Sequence, residues 1–325
     1  MRTGIQPRIW AAGAGLLLAG MAYAGLSACV LSAPYDKYAI VYGVADYQIG
    51  VNDLTYPDDD AVAMAAMLAG QGYQVWIKTD SETVVESAAE HASKANLLAD
   101  ITAVAAVAGE EDLFLFYFSG HGGQPATGPE GSSSDSFNEY IYLYDSDPSN
   151  LTTTFSDDQL LAAFAPIAAR KKVIILDSCN SGGFIGNELE ADGEPSSLVE
   201  GSESLAELAA RAISLYANFD GSSADIPPWE ALVLSASGER EFSYESPDKL
   251  GLGPKLYNGV FTYYLLEAER EGDANRDGWV TVTEAFAYTQ KMIYRDWNFD
   301  YGFPSDAFSP HVSGGPVDYV LFKAR

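Results

Sequence analysis

Apolar positions along this chain fall into two alternating patterns. Short, nearly continuous apolar runs of strand length occupy residues 38–44, 74–77, 113–119, 140–144, 172–176 and 231–235. Between them lie longer stretches with apolar residues at helical spacing, over 58–69, 82–107, 157–164, 255–270 and 282–294. Asp58, Asp59 and Asp60 open the first of these, where carboxylates favour a helix N-terminus. The runs at 113–119 and 172–176 carry hardly any polar residue, as strands buried on both faces do. Strands alternating with helices predict an α/β fold, a mostly parallel sheet with helices on both faces. No internal repeat is visible.

Two of the runs end in small-residue turns, and each turn carries one chemically active side chain. The first continues Ser119-Gly120-His121-Gly122-Gly123, the second Asp177-Ser178-Cys179-Asn180-Ser181-Gly182-Gly183. Open parallel sheets collect active residues at the carboxyl ends of their strands. A histidine and a cysteine there form a base and a nucleophile. A glycine-rich turn also supplies backbone N–H groups for an oxyanion. The chain therefore reads as a cysteine hydrolase. Of the three histidines, His91 lies in a polar helical stretch and His311 in a Pro/Gly/Ser loop, so only His121 follows a strong strand.

Charge narrows the partners. With 18 Lys and Arg against 46 Asp and Glu, the formal net charge is −28. Such a surface repels nucleic acid and attracts cations, so nucleic acid is not an expected partner. The N-terminus reads as a targeting segment. Arg2 and Arg8 precede an apolar stretch over 9–26, and Leu26-Ser27-Ala28-Cys29 resembles the lipobox of bacterial lipoproteins. That resemblance implies a signal peptide over 1–28 and a lipidated Cys29. A tether over 29–36 would then hold the chain on a bacterial envelope membrane, outside the cytoplasm. The chain has two cysteines, so lipidation of Cys29 leaves Cys179 without a disulfide partner.

Residues 185–229 break the alternation. They are acidic, rich in Ser and Gly at both ends, and hold one basic residue, Arg211. A long irregular stretch in a compact domain is either functional or a plain surface insertion.

These motifs together resemble the caspase-like cysteine peptidases, the clan that includes legumains and gingipains, with bacterial metacaspase-type members the nearest in character. The segment 38–47 followed by 54–61 resembles the first strand and helix of that family. Phe118-Ser119-Gly120-His121-Gly122-Gly123 resembles its histidine motif. Asp177-Ser178-Cys179-Asn180 resembles its nucleophile motif, with Asn180 where many metacaspase relatives carry His. Residues 231–238 resemble the strand that opens the small subunit, and 258–267 the helix after it. The resemblance implies a caspase-hemoglobinase-like peptidase domain over 37–325. It would comprise a large-subunit-like part over 37–184, a linker over 185–229 and a small-subunit-like part over 230–325. It implies attack by Cys179 on a peptide carbonyl, proton handling by His121, and an oxyanion hole built from the N–H groups of Gly122 and Cys179.

The resemblance also bears on the residue before the cut. Caspases hold an acidic residue there with an arginine near the position of Leu54, and that arginine is missing here. Metacaspase-like relatives hold Arg or Lys with acidic residues. Asp177 fits that role by position, with Glu239, Glu241 or Glu245 as a second carboxylate. Asp177 also fits a turn-capping role.

A second motif stands apart from the dyad. Residues 273–284 match the EF-hand loop pattern in full. Asp273, Asn275 and Asp277 offer side-chain oxygens, Gly278 the sharp turn, Trp279 a backbone carbonyl, Thr281 the ninth position and Glu284 the bidentate twelfth. One structural Ca²⁺ is the expected cofactor. Two other function classes remain open on these residues: a transpeptidase, which would use the same dyad, and a non-catalytic surface protein on the same fold.

Overall fold

The computed structural model describes residues 35–80, 91–123, 139–178, 231–238, 242–245, 258–299, 307–312 and 318–325. Cys29, Cys179, Arg211, Glu239, Glu241 and the acidic stretch 185–229 lie outside the described residues. The chain from Tyr35 to Arg325 forms one compact unit.

Six strands build the main sheet: β1 (Lys37–Gly43), β2 (Tyr73–Lys78), β3 (Leu113–Ser119), β7 (Lys171–Asp177), β8 (Leu232–Ser235) and β10 (His311–Val312). Their spatial order is β10-β8-β7-β3-β1-β2. Every pair is parallel except β8 with the edge strand β10. Three short strands, β4 (Gly122–Gly123), β5 (Tyr140–Ile141) and β6 (Phe155–Ser156), make a small antiparallel sheet. β9 (Trp279–Thr281) pairs with β11 (Val320–Lys323).

The sheet is buried on both faces, and successive residues of each strand divide between two cores. Ala39, Val41, Leu115, Tyr117, Val173 and Ile175 face one side. There they pack with residues of α1 (Pro57–Gly70), α4 (Val260–Glu271) and α5 (Val282–Met292). Ile40, Tyr42, Phe114, Phe116, Phe118 and Ile174 face the other side. They pack with α2 (Lys94–Ala105) and α3 (Asp157–Phe164). The aromatic run of β3 lies at the centre of both cores, and Phe164 of α3 sits against Phe114 and Phe116 with ring centroids 5.1 Å apart in each case.

The chain runs outward from β1 in both directions, to β2 on one side and to β3 on the other. This reversal makes the β1/β3 boundary a topological switch point, the usual place for a site in such a sheet. Gly43 ends β1 there. A β-carbon on it would lie 2.1 Å from the Pro57 carbonyl oxygen and 2.7 Å from the Ala61 β-carbon. The absent side chain lets the first turn of α1 close directly over the strand end.

Several boundaries differ from those the pattern predicts. The helix expected over 82–107 starts at Lys94 among the described residues, because Ser93 caps it by accepting the Asn96 N–H at 3.3 Å. His91 is therefore not helical; it bridges to Thr79 at the end of β2 and stacks on Tyr144 at 4.1 Å. The strand expected over 140–144 stops at Ile141. The helix expected over 255–270 begins at Val260 among the described residues, after the extended Gly259. The last helix changes to a π-helical turn over Ile293–Phe299. His311 belongs to an edge strand, not to a loop. The short strands β4, β6, β9, β10 and β11 are not legible in the pattern, since two to four residues carry no periodicity.

One consequence is measurable. The methyl group in Gly43→Ala has no space between β1 and backbone atoms of α1. The substitution should lower stability by about 1–3 kcal/mol, read as a lower urea midpoint with an unchanged slope.

Candidate active site

The register of the central strands sets the site. β3 and β7 run parallel, with Ser119 opposite Asp177. His121 follows Ser119 by two residues, and Cys179 follows Asp177 by two. Gly120 continues the ladder by donating its N–H to the Asp177 carbonyl at 3.1 Å.

The His121 imidazole is held by the loop that leaves β1. Its Nε2 lies 2.8 Å from the Asn52 carbonyl oxygen. A carbonyl only accepts, so Nε2 carries the proton and Nδ1 of the neutral ring is left as the basic nitrogen. The Tyr47 ring lies 5.1 Å away, tilted by 42°. Burial pulls the imidazole below its ordinary pKa of 6.5, while the contact with Asn52 and the charge of Asp53 push it back up.

The loop itself is pinned at several points. Leu54 donates to the Ala45 carbonyl at 2.8 Å, which closes its neck, and Gln48 donates to the Tyr144 carbonyl at 3.0 Å. Tyr47 N–H donates to Asp53 Oδ1 at 3.0 Å. The buried Asp80 carboxylate accepts the Ala45 N–H at 3.0 Å, and burial pushes its carboxyl up to about 8.

The Gly122 N–H takes its direction from the same region. Tyr142 donates to the His121 carbonyl at 3.0 Å. That carbonyl and the Gly122 N–H belong to one trans peptide, so they point in opposite directions. Since the carbonyl faces the segment of Tyr142, the Gly122 N–H is turned away from it, as an oxyanion donor requires.

Asp177 is 5% exposed, and a second carboxylate faces it: Asp60, in the first turn of α1, 1% exposed. Asp177 accepts from Ser243 Oγ at 2.6 Å on Oδ1, and from Thr262 Oγ1 at 2.7 Å and Thr262 N–H at 3.2 Å on Oδ2. Asp60 accepts from Asn258 Nδ2 and the Gly259 N–H on Oδ1, both at 2.9 Å, and from Ser119 Oγ on Oδ2 at 2.8 Å. Each oxygen has two lone pairs, so among the described residues each carboxylate keeps one accepting position. Gly259 separates them. A β-carbon there would lie 2.9 Å from Asp177 Oδ2 and 3.0 Å from Asp60 Oδ2. Burial and the charge of Asp177 push the Asp60 carboxyl well up, and Asp177 is pushed up chiefly by burial. Two such groups in one buried place disfavour ionisation of both at once.

The structure thus separates the sequence candidates. It brings Asp177 to the ends of the strands beside the His121 turn. Glu245 adds its charge to that of Asp177, while its carboxylate accepts the N–H groups of Thr55 and Tyr56 at 3.0–3.2 Å and clamps the chain before α1. The second carboxylate beside Asp177 is Asp60, which the sequence pattern marks only as a helix-starting charge. The Asn52 contact has no signal in the sequence at all, because its contributing atom is a backbone carbonyl. Glu241 and Cys179 lie outside the described residues.

The loop 273–284 lies between α4 and α5, away from the dyad motifs in sequence. Arg276 and Gly278 have φ of 62° and 88°, in the left-handed region that such a loop needs at its fourth and sixth positions. Asp273 accepts the N–H groups of Asp277 (3.1 Å) and Gly278 (2.9 Å), and Asn275 Oδ1 accepts Asp277 N–H at 2.8 Å. Asp277 Oδ1 accepts Trp279 N–H at 2.9 Å. Glu284, 3% exposed, reaches Asn275 N–H at 3.4 Å and caps α5 with Thr281. Among the described residues no three His, Cys, Asp or Glu side chains are gathered as a metal group. The loop's donors also include an amide, a hydroxyl and a backbone carbonyl, so the fit to Ca²⁺ rests on the backbone frame and donor order.

The imidazole environment gives a direct test. His121 should titrate below 6.5 in an NMR titration, which three histidines make simple to assign. Asp53→Asn keeps an acceptor for Tyr47 and removes a charge that favours the imidazolium, so it should move the titration further down. A rise would contradict the assignment.

Comparison with known proteins agrees with this geometry. No curated protein matches the chain. Among solved structures, the protein GSU0716 from Geobacter sulfurreducens is 20% identical with a TM-score of 0.50, over 87% of this chain and 95% of that one. Caspase-1 from Spodoptera frugiperda is 13% identical with a TM-score of 0.48, over 90% and 91%. The family model described as the caspase domain matches residues 36–301. That span covers both strand-end turns and most of the mostly parallel sheet, and the chain belongs to the caspase-domain family of cysteine peptidases.

Proposed function

We propose that this protein is an endopeptidase that cuts after Arg or Lys through Cys179 and His121. The observation that carries the specificity is the buried Asp60 and Asp177 pair beside the strand ends. A guanidinium or ammonium between them offsets the Asp177 charge that adds to the rise at Asp60, and among the described residues each carboxylate keeps one accepting position for it. An acidic side chain there would add a third negative charge.

In the mechanism that this geometry supports, Cys179 adds to the scissile carbonyl. His121, with Nε2 committed to Asn52, holds the thiol proton at Nδ1 and delivers it to the leaving amine. The Gly122 N–H stabilises the oxyanion, a contribution of about 10²–10³ in rate for a typical single donor. Water then releases the acyl group. The same steps with an amine in place of water would give a transpeptidase; no observation favours that outcome.

A peptide panel varied at the residue before the cut tests this reading. Arg and Lys should be preferred, and Cys179→Ala and His121→Ala should each abolish turnover. Asp60→Asn should cost roughly 10- to 100-fold in kcat/KM on Arg peptides, about 1.4–2.7 kcal/mol of transition-state binding. A preference for Asp or Asn would overturn the specificity.

The Cys29 lipobox, which lies outside the described residues, supports anchoring on the outer side of a bacterial membrane. The bacterial metacaspase type is part of the same proposal.

The loop 273–284 would hold Ca²⁺ through Asp273, Asn275, Asp277, the Trp279 carbonyl, Thr281 and Glu284. The ion would offset most of the charge of three carboxylates at one turn and join α4 to α5. Binding to the folded state alone stabilises by about 2.7 kcal/mol at a hundredfold excess over Kd. Melts with Ca²⁺ and with chelator should therefore differ by several degrees, and Glu284→Gln should remove most of the difference. Identical melts with no heat of binding would reduce the loop to a polar turn.

A further inference from the structure

We infer that Tyr47 is a positioning residue for the catalytic turn: its hydroxyl fixes the backbone of His121 and its ring shields the imidazole. This rests on the reading of His121 as the catalytic base.

Three contacts meet at His121, all from one loop. The Tyr47 hydroxyl accepts the His121 backbone N–H at 2.7 Å. The Tyr47 ring lies beside the imidazole, at 5.1 Å. The Asn52 carbonyl takes Nε2 at 2.8 Å. Tyr47 and Asn52 sit on the same loop, and Asp53, next to Asn52, ties the two together by accepting Tyr47 N–H. The loop therefore grips both the backbone and the side chain of the same residue.

The backbone contact has a chemical purpose. The peptide before His121 is fixed through its N–H by Tyr47. The peptide after it is fixed through its carbonyl by Tyr142. With both peptides pinned, the imidazole and the Gly122 N–H are aimed together. Without the Tyr47 hydroxyl the His121 N–H loses its partner in a part-buried place and the turn is free to rotate. Both the base and the oxyanion donor then lose alignment, and misplacement on this scale typically costs about 10²-fold in rate.

The neighbouring glycine supports this arrangement. Gly120 has φ of 154°, and a β-carbon on it would lie 2.9 Å from the Tyr47 hydroxyl oxygen and 2.8 Å from Phe118. The absence of a side chain at 120 is what lets the hydroxyl reach the His121 N–H.

Two variants of the full chain separate hydroxyl from ring. Tyr47→Phe keeps the ring and should lower kcat roughly 10- to 100-fold with KM little changed and the protein still fully folded at the assay temperature. Its imidazole, still shielded, should titrate below 6.5 as before. Tyr47→Ala removes the ring as well, and the titration should move back up toward 6.5. The titrations are read by NMR on the Cys179→Ala background, so they do not depend on turnover. Unaltered kcat in Tyr47→Phe would overturn the role of the hydroxyl. An unmoved titration in Tyr47→Ala would overturn the role of the ring. A loss of kcat matched by an equal loss of folded protein would mean a structural role only. An unaltered protein that turns over no peptide, with the titrations moving as stated, would instead refute the peptidase reading and leave the positioning intact.

Discussion

Two carboxylates tie the carboxyl end of the sheet together. Asp60 joins α1 to Ser119 at the end of β3 and to the Asn258–Gly259 entry of α4. Asp177 joins the end of β7 to the Ser243 segment and to the first turn of α4. Between them they satisfy six donors on segments that are far apart in sequence. Removing either side chain would leave several buried donors without partners, a cost of about 1–3 kcal/mol for each. Both groups nevertheless stand against a penalty, because like charges in a buried place repel. On the reading proposed above, a cationic residue bound there would relieve that penalty, so its recognition would also consolidate the end of the sheet.

The loop after β1 carries the second half of this arrangement. It leaves Gly43, passes over the strand ends, and delivers Tyr47 and Asn52 to His121. Its far end is clamped by Glu245, which lies two residues from Ser243. The segment 242–245 therefore touches the acidic pair through Ser243 and the histidine loop through Glu245. The acidic pair and the histidine loop share one short stretch of backbone. A change in that stretch should act on both, which is why kcat and KM need to be read separately.

The sequence makes the framework visible and leaves the connections dark. The apolar runs at β3 and β7 announce strands buried on both faces, and the turns after them mark His121 and Cys179 as candidates, because strand length and glycine content are local properties. Asp177 is marked as a candidate by its distance to Cys179. Asp60 is not: it is the third of three consecutive aspartates at a helix start, and local logic assigns all three to the helix dipole. Only the crossing of β3, β7 and α4 singles out the one that is 1% exposed. The backbone partners of Glu245 are hidden for the same reason, since an acidic residue after a strand carries no mark of which backbone it will meet. Asn52 acts through a main-chain atom, which no residue type encodes. The rest of the helix and strand errors sit at element ends and at strands of two to four residues, where tertiary contacts outweigh propensity.

The net charge of −28 belongs to the same argument. Carboxylates at the surface set a field more than a fold. Such a field draws cationic peptides toward the molecule and repels anionic ones, with a range of about 8 Å at physiological salt. It operates before any contact is made. On the reading proposed above, selection inside that range would pass to the two buried carboxylates, and the outer charges and the inner pair would act in sequence on the same property of the substrate.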